Sequence, residues 1–166
     1  RYFAPLILLG NPKSNVGIVT LWTEKEKIQP YLSGEHYIAV GQLYSKNGIN
    51  PLLRNILANP TIRYLVICGT ELSGSGQNLI NFFENGIDEE YNIIGSTDAK
   101  VDREIARDAL ELLRKSVELI DLRNEIYPIR IEEKINSLKQ GLKAFAKPMI
   151  FPEAIREASV FPSEVS

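Results

Sequence analysis

In 166 residues there is one cysteine, one histidine, one methionine and one tryptophan. Those shortages exclude chemistry before any motif is read. A single thiol, Cys68, forms neither a disulfide within the chain nor a Cys-x-x-Cys metal site, which points to a reducing compartment and makes the cytoplasm the expected location. A single histidine, His36, supports no Ser-His-Asp triad and no histidine, cysteine and carboxylate cluster at metal-ligand spacing, so no catalytic residue and no metal ligand is nominated. No apolar run approaches the ~18 residues of a membrane span. No cluster of lysine and arginine stands out from a net charge of -2, which argues against a nucleic-acid footprint. The opening Arg1-Tyr2-Phe3 carries neither methionine nor a signal-peptide pattern, and a domain excised from something longer is the expectation.

What is present is ordinary globular material. At 44% hydrophobic content the chain has enough apolar mass for one core. Short β-branched runs alternate with longer helical patterns, the pattern of an α/β fold with a mainly parallel sheet of five or six strands. Residues 6–9 and 16–22 read as strands separated by the turn signal Gly10-Asn11-Pro12, and together suggest a first hairpin. Residues 23–28 suit a short helix and residues 37–40 a third strand. Asn50 to Leu57 reads as a helix with Asn50 as N-cap and Pro51 at its first position. Residues 63–68 form the best strand of the chain. A helix over 77–84 follows, closed by Asn85-Gly86 as a left-handed cap. In the second half, 92–95 reads as a short strand, 102–116 as a helix, 117–122 as an edge strand and 129–145 as an amphipathic helix. The domain is expected over 1–146, with a proline-containing, extended tail over 147–166.

The loop after the best strand, Gly69-Thr70-Glu71-Leu72-Ser73-Gly74-Ser75-Gly76-Gln77, lies where ligands collect in parallel sheets, at a strand's carboxyl end feeding a helix. Backbone N–H groups at such a helix start, with glycine allowing close approach, suit phosphate, carboxylate or amide oxygens. The loop is neither a Walker motif nor a Gly-x-Gly-x-x-Gly fingerprint. An ordinary tight turn with serine capping the helix explains it equally well. Gly41-Gln42, continuing through Ser45, marks another strand end, and Gly10-Asn11 with Thr20 to Thr23 a further one. If these converge they form a cleft, the default ligand site.

Other residues have plainer readings. His36 suits a turn and Cys68 a buried small hydrophobe. Glu71 either caps backbone or touches ligand, and both stay open. Asp88-Glu89-Glu90 is a solvated charge run. Trp22 and Tyr44 have the rings to stack a flat ligand, although core packing is their commoner use. With no acid-base set, the chemistry suits a protein that binds a cofactor carrying its own reactivity.

The stretch Asn59 to Glu71, with Gly76-Gln77, Glu84-Asn85-Gly86 and Ile93-Ile94-Gly95, resembles the A subunit of tetrahydromethanopterin S-methyltransferase. The resemblance reaches back through Gly10-Asn11-Pro12 and Val16 to Leu21, and forward to Val117 to Asp121. It implies a Rossmann-like, three-layer domain that binds a corrinoid such as cobalamin and takes part in methyl transfer between a reduced pterin and a thiol. A pterin or folate-type one-carbon carrier is the second cofactor it admits. The glycine-marked strand ends together with this resemblance give the expected cofactor-binding set: Gly10, Asn11, Thr20, Gly41, Gln42, Gly69, Thr70, Glu71, Ser73, Gly74, Ser75, Gly76, Gln77 and Gly95. A fusion or complex with a pterin-binding or methyltransferase module, and a homo-oligomer, are both compatible with it. So is a non-catalytic ligand-binding or docking module of a larger pterin- or nucleotide-related, thymidylate-synthase-like enzyme. This sequence departs from the family at two points. The glycine loop is shorter and lacks the histidine that the family offers as a lower cobalt ligand, and the membrane-anchoring helix has no counterpart. Corrinoid binding with water or nothing below the metal, a different ligand, and loss of function all stay open.

Overall fold

In the computed structural model, residues 7–151 are described. Among them five strands build one sheet: β1 (Leu8–Leu9), β2 (Val16–Thr20), β3 (Ala39–Gln42), β4 (Tyr64–Gly69) and β5 (Glu118–Arg123), in the order β1-β3-β2-β4-β5. β3, β2, β4 and β5 run parallel, while the two-residue β1 pairs antiparallel with β3. Four α-helices accompany them: α1 (Ile49–Ala58), α2 (Ser75–Asn85), α3 (Arg107–Ser116) and α4 (Pro128–Asn136).

Period-two alternation sends side chains to both faces of the sheet. Val19, Leu65 and Ile67 pack with Leu53 and Ile56 of α1, Leu79 and Phe82 of α2, and Leu110 and Leu113 of α3. Ile18, Val40, Val66 and Cys68 face the other way and meet Ile131 and Ile135 of α4. The sheet therefore lies between two helical layers, and its central strands β2 and β4 are buried almost throughout. β5 is the edge that its alternating sequence predicts, with Ile120 buried between exposed Glu118 and Asp121.

Several expectations give way to tertiary partners. The first two strands form no hairpin, because β1 bonds to β3 and the Asn11 N–H donates to the Gly34 and Tyr37 carbonyls. Gly48, rather than Asn50, occupies the cap position of α1. The Asn50 amide instead holds the distant segment 100–102, accepting from the Asp102 N–H at 2.8 Å and donating to the Lys100 carbonyl at 3.1 Å. That clasp, with the Arg54–Asp102 ion pair, keeps residues 102–106 out of the helix, and α3 begins only at Arg107. Residues 92–95 join no sheet strand and make isolated bridges, Ile87 with Ile93 and Asn92 with Lys100. α4 stops at Asn136, and the chain beyond it turns back so that Gln140 and Leu142 bind Asn15. Within the expected tail, the Met149 N–H donates to the Leu57 carbonyl and Phe151 is buried against the core, whereas 152–166 lie outside the described residues. No helix among the described residues is long and apolar enough to cross a membrane.

Candidate functional site

Because β2, β3, β4 and β5 are parallel, their exits share one edge. The exit segments are Leu21–Thr23, Leu43–Ser45, Thr70–Gly74 and Asn124–Glu125, and the helix start at Ser75 lies among them. Thr20, Gly41, Gln42, Gly69, Thr70, Glu71 and Ser73 to Gln77 all fall on this edge. Gly10 and Asn11 do not. Since β1 runs the other way, both sit at the opposite, amino edge, where the Asn11 side chain donates to the Glu35 carbonyl. Gly95 lies on the flank of α2, its carbonyl accepting from Asn81.

Most polar groups of the edge are spent on one another. The Gln42 amide donates to the Leu21 and Thr23 carbonyls at 3.1 and 3.2 Å, fixing the loop between them. Thr20 is fully buried, and Thr70 binds Thr23 through both its hydroxyl and its N–H. Ser73 donates to the Tyr44 carbonyl at 2.7 Å, and buried Ser75 donates to the Leu43 carbonyl at 3.0 Å. Glu71, open to two readings in the sequence, is a cap. Its carboxylate accepts from the Gln77 N–H at 2.9 Å and, more weakly, from the Gly76 N–H at 3.4 Å, placing negative charge on the positive end of α2. Arg123 binds Asp121 through two nitrogens at 2.9 Å and Gln77 at 2.7 Å, completing this internal circuit. Burial pushes the Asp121 carboxyl up, but the Arg123 hydrogen bonds and charge outweigh it and hold the group below its ordinary value.

Glycine has a defined use at two of these positions. Gly69 and Gly74 have φ of +84° and +81°, a region costly for side-chain-bearing residues. A Cβ on Gly69 would stand 3.2 Å from the Leu21 backbone nitrogen, whereas one on Gly74 would meet nothing within 4 Å.

Rings are what the edge exposes. Trp22 and Tyr44 are 44% and 49% accessible, not packed in the core as their commoner use suggests. They stand edge to face, with centroids 5.7 Å apart and planes at 78°. Leu72, on the exit of β4, is 68% accessible, and its neighbour Ser73 is tied to Tyr44. Three strand exits thus offer apolar surface on a hydrogen-bonded base. Next to Tyr44, a cavity of about 240 Å³ opens between the end of β3 and α1, lined by Gly41, Leu43, Leu52 and Lys25 among others. The sequence shows the pair as residue types but not its exposure or its edge-to-face geometry.

The two residues of reactive type lie away from this surface. Cys68 is fully buried, and burial first, then the nearby Glu125 charge, push its thiol up to about 12. His36 precedes β3 at the amino edge, its Nδ1 3.1 Å from Glu132 Oε1. No group of three or more histidine, cysteine or acidic side chains fit for a metal ion occurs among the described residues.

Comparison with known proteins gives the family. Residues 7–154 match the family model of the tetrahydromethanopterin S-methyltransferase A subunit. The chain belongs to that family. It is 35% identical over 133 residues to the tetrahydromethanopterin S-methyltransferase A 2 subunit of Methanothermobacter marburgensis, covering 77% of this chain and 70% of the relative. It is 36% identical to the A 2 subunit of Methanothermobacter thermautotrophicus and to the single A subunit of Methanocaldococcus jannaschii, in each case over 120 residues and 69% of this chain. Those matches span 64% and 49% of the two relatives, so this chain corresponds to only part of the longer family members. The family match runs through all five strands and four helices, and so takes in the whole carboxyl edge of the sheet.

Proposed function

We propose that this chain is a methyl-transfer component, acting in the cytoplasm, that holds a one-carbon cofactor at the carboxyl edge of a Rossmann-like sheet. The observation that carries the reading is the exposed Trp22–Tyr44 pair, on an edge whose polar groups are otherwise committed to the fold. A cofactor with a flat face gains by stacking on one of these two nearly perpendicular rings while the other meets its edge, through burial of apolar area and ring contact. A corrinoid is the first candidate and a pterin-type carrier the second. Trp22, Tyr44 and Leu72 would hold the ring, with Gly74 and Gly41 leaving backbone open to its edge.

A corrinoid, when bound, supplies a cobalt that takes up and gives up the methyl group. The chain's own part is to bind, orient and shield. The Gln42 clasp on Leu21 and Thr23 fixes Trp22, the Ser73 bond fixes Tyr44, and the Glu71 cap keeps α2's amides from drawing an anion into the ring's place. The relatives are named as subunits of a methyltransferase, and that supports assembly with a pterin-binding or methyltransferase partner. The same names disfavour a non-catalytic docking module of a nucleotide-related enzyme.

Equilibrium dialysis of the full chain against cobalamin and against a tetrahydropterin tests the reading. One of the two is expected to bind at micromolar concentration or below, with a shifted visible spectrum if it is the corrinoid. Failure of both to bind at ~100 μM contradicts it, because such a site would be too weak to retain a cofactor.

A further inference from the structure

Resting on the corrinoid form of that reading, we infer that this chain gives the bound cobalt no imidazole or sulfur ligand. No such donor goes uncounted, because the chain contains one histidine, one cysteine and one methionine and the structure describes all three. His36 is at the wrong end of the sheet. Its carbonyl accepts from Ser14 ahead of β2, and its ring is held by Glu132. Cys68 is on β4, which does lead to the right edge, but its side chain is fully buried in the layer between sheet and α4. Met149 is tied through its N–H to Leu57, near the end of α1. Since α1 descends from the exit of β3 to the entry of β4, that contact also lies at the amino edge.

What faces the ligand edge is different in kind. Tyr44 and Leu72 are ring and hydrocarbon, and the Glu71 carboxylate is engaged with the first turn of α2. Soft or imidazole donors, which cobalt prefers over water, would have to cross the sheet to reach the metal. Retention of the corrinoid therefore depends on contact with its ring and not on a bond to its metal. It follows that aromatic substitutions, and not removal of His36, control affinity.

Cobinamide, a corrinoid that lacks its own nucleotide base, isolates the question because any nitrogen on the metal must then come from protein. The full chain is loaded with cobinamide, reduced to the Co(II) state, and examined by electron paramagnetic resonance alongside binding isotherms. Expected are a spectrum without nitrogen superhyperfine splitting, unchanged affinity and spectrum in His36→Ala, and binding weakened about tenfold in Trp22→Ala. Nitrogen splitting that disappears in His36→Ala overturns the inference while leaving the ligand site intact. Absence of cobinamide binding overturns the corrinoid reading and this inference with it.

Discussion

The Glu71 carboxylate accepts the backbone N–H of Gln77 at 2.9 Å, so the loop that looks built for an external anion carries its own. Removing it with Glu71→Ala leaves two N–H groups at the start of α2 without their acceptor and takes negative charge from the helix's positive end. The expected loss is about 1 kcal/mol. For a domain of this length that corresponds to a fall in melting temperature of roughly 2–4 °C. Differential scanning calorimetry checks it, and an unchanged melting temperature would show that the cap contributes nothing.

Gly69 and Gly74 share a left-handed backbone but not a neighbourhood. Gly74→Ala adds a methyl to open space and should cost only the conformational term, about 1–2 kcal/mol. Gly69→Ala adds the same term and also crowds Thr23 and the Leu21 nitrogen, so it should be the more damaging of the two. Urea unfolding curves compared at equal slope give the ranking directly.

Ser75 is fully buried with its hydroxyl on the Leu43 carbonyl. Ser75→Ala should therefore destabilise the fold by about 1–2 kcal/mol through the lost bond, and leave cofactor affinity unchanged. Loss of affinity with unchanged stability would place the serine on the ligand after all.

The parallel strands were legible in the sequence because β2 and β4 are apolar on both faces, and a continuous β-branched run has few other uses. The glycine loop was legible as a strand-to-helix turn at the carboxyl edge of the sheet. Its hydroxyls were not, because the acceptors of Ser73 and Ser75 lie about thirty residues away on another strand's exit. Asn50 looked like a cap for the same reason. Its local signal was right in type, and a partner at Asp102 claimed the side chain. Gly10 and Asn11 would reach this edge only if β1 ran with its neighbours, and it runs against them. The exposed Trp22–Tyr44 pair carried no periodic signal, since exposure at a strand exit is decided by which loops assemble around it.

Burial pushes the Cys68 thiol up to about 12, against an ordinary cysteine value of ~8.5 in the unfolded chain. The folded state thus holds its proton where the unfolded state releases it. The stability this gives is fully present below the unfolded value and declines as pH rises from there toward 12. A thiol reagent at pH 8 should label Cys68 only at the rate of unfolding. Rapid labelling of the native protein would contradict its burial.

Trp22 is the only tryptophan in the chain, so its fluorescence reports on the proposed platform without competition. The most direct test is a titration of that emission with cobalamin and with a tetrahydropterin, corrected for ligand absorbance. Saturable quenching by one of them is expected at micromolar concentration or below, with the midpoint moved about tenfold higher in Tyr44→Ala. Cofactor binding that leaves Trp22 emission unchanged, or no quenching up to ~100 μM of either ligand, would contradict the placement of the cofactor on this edge.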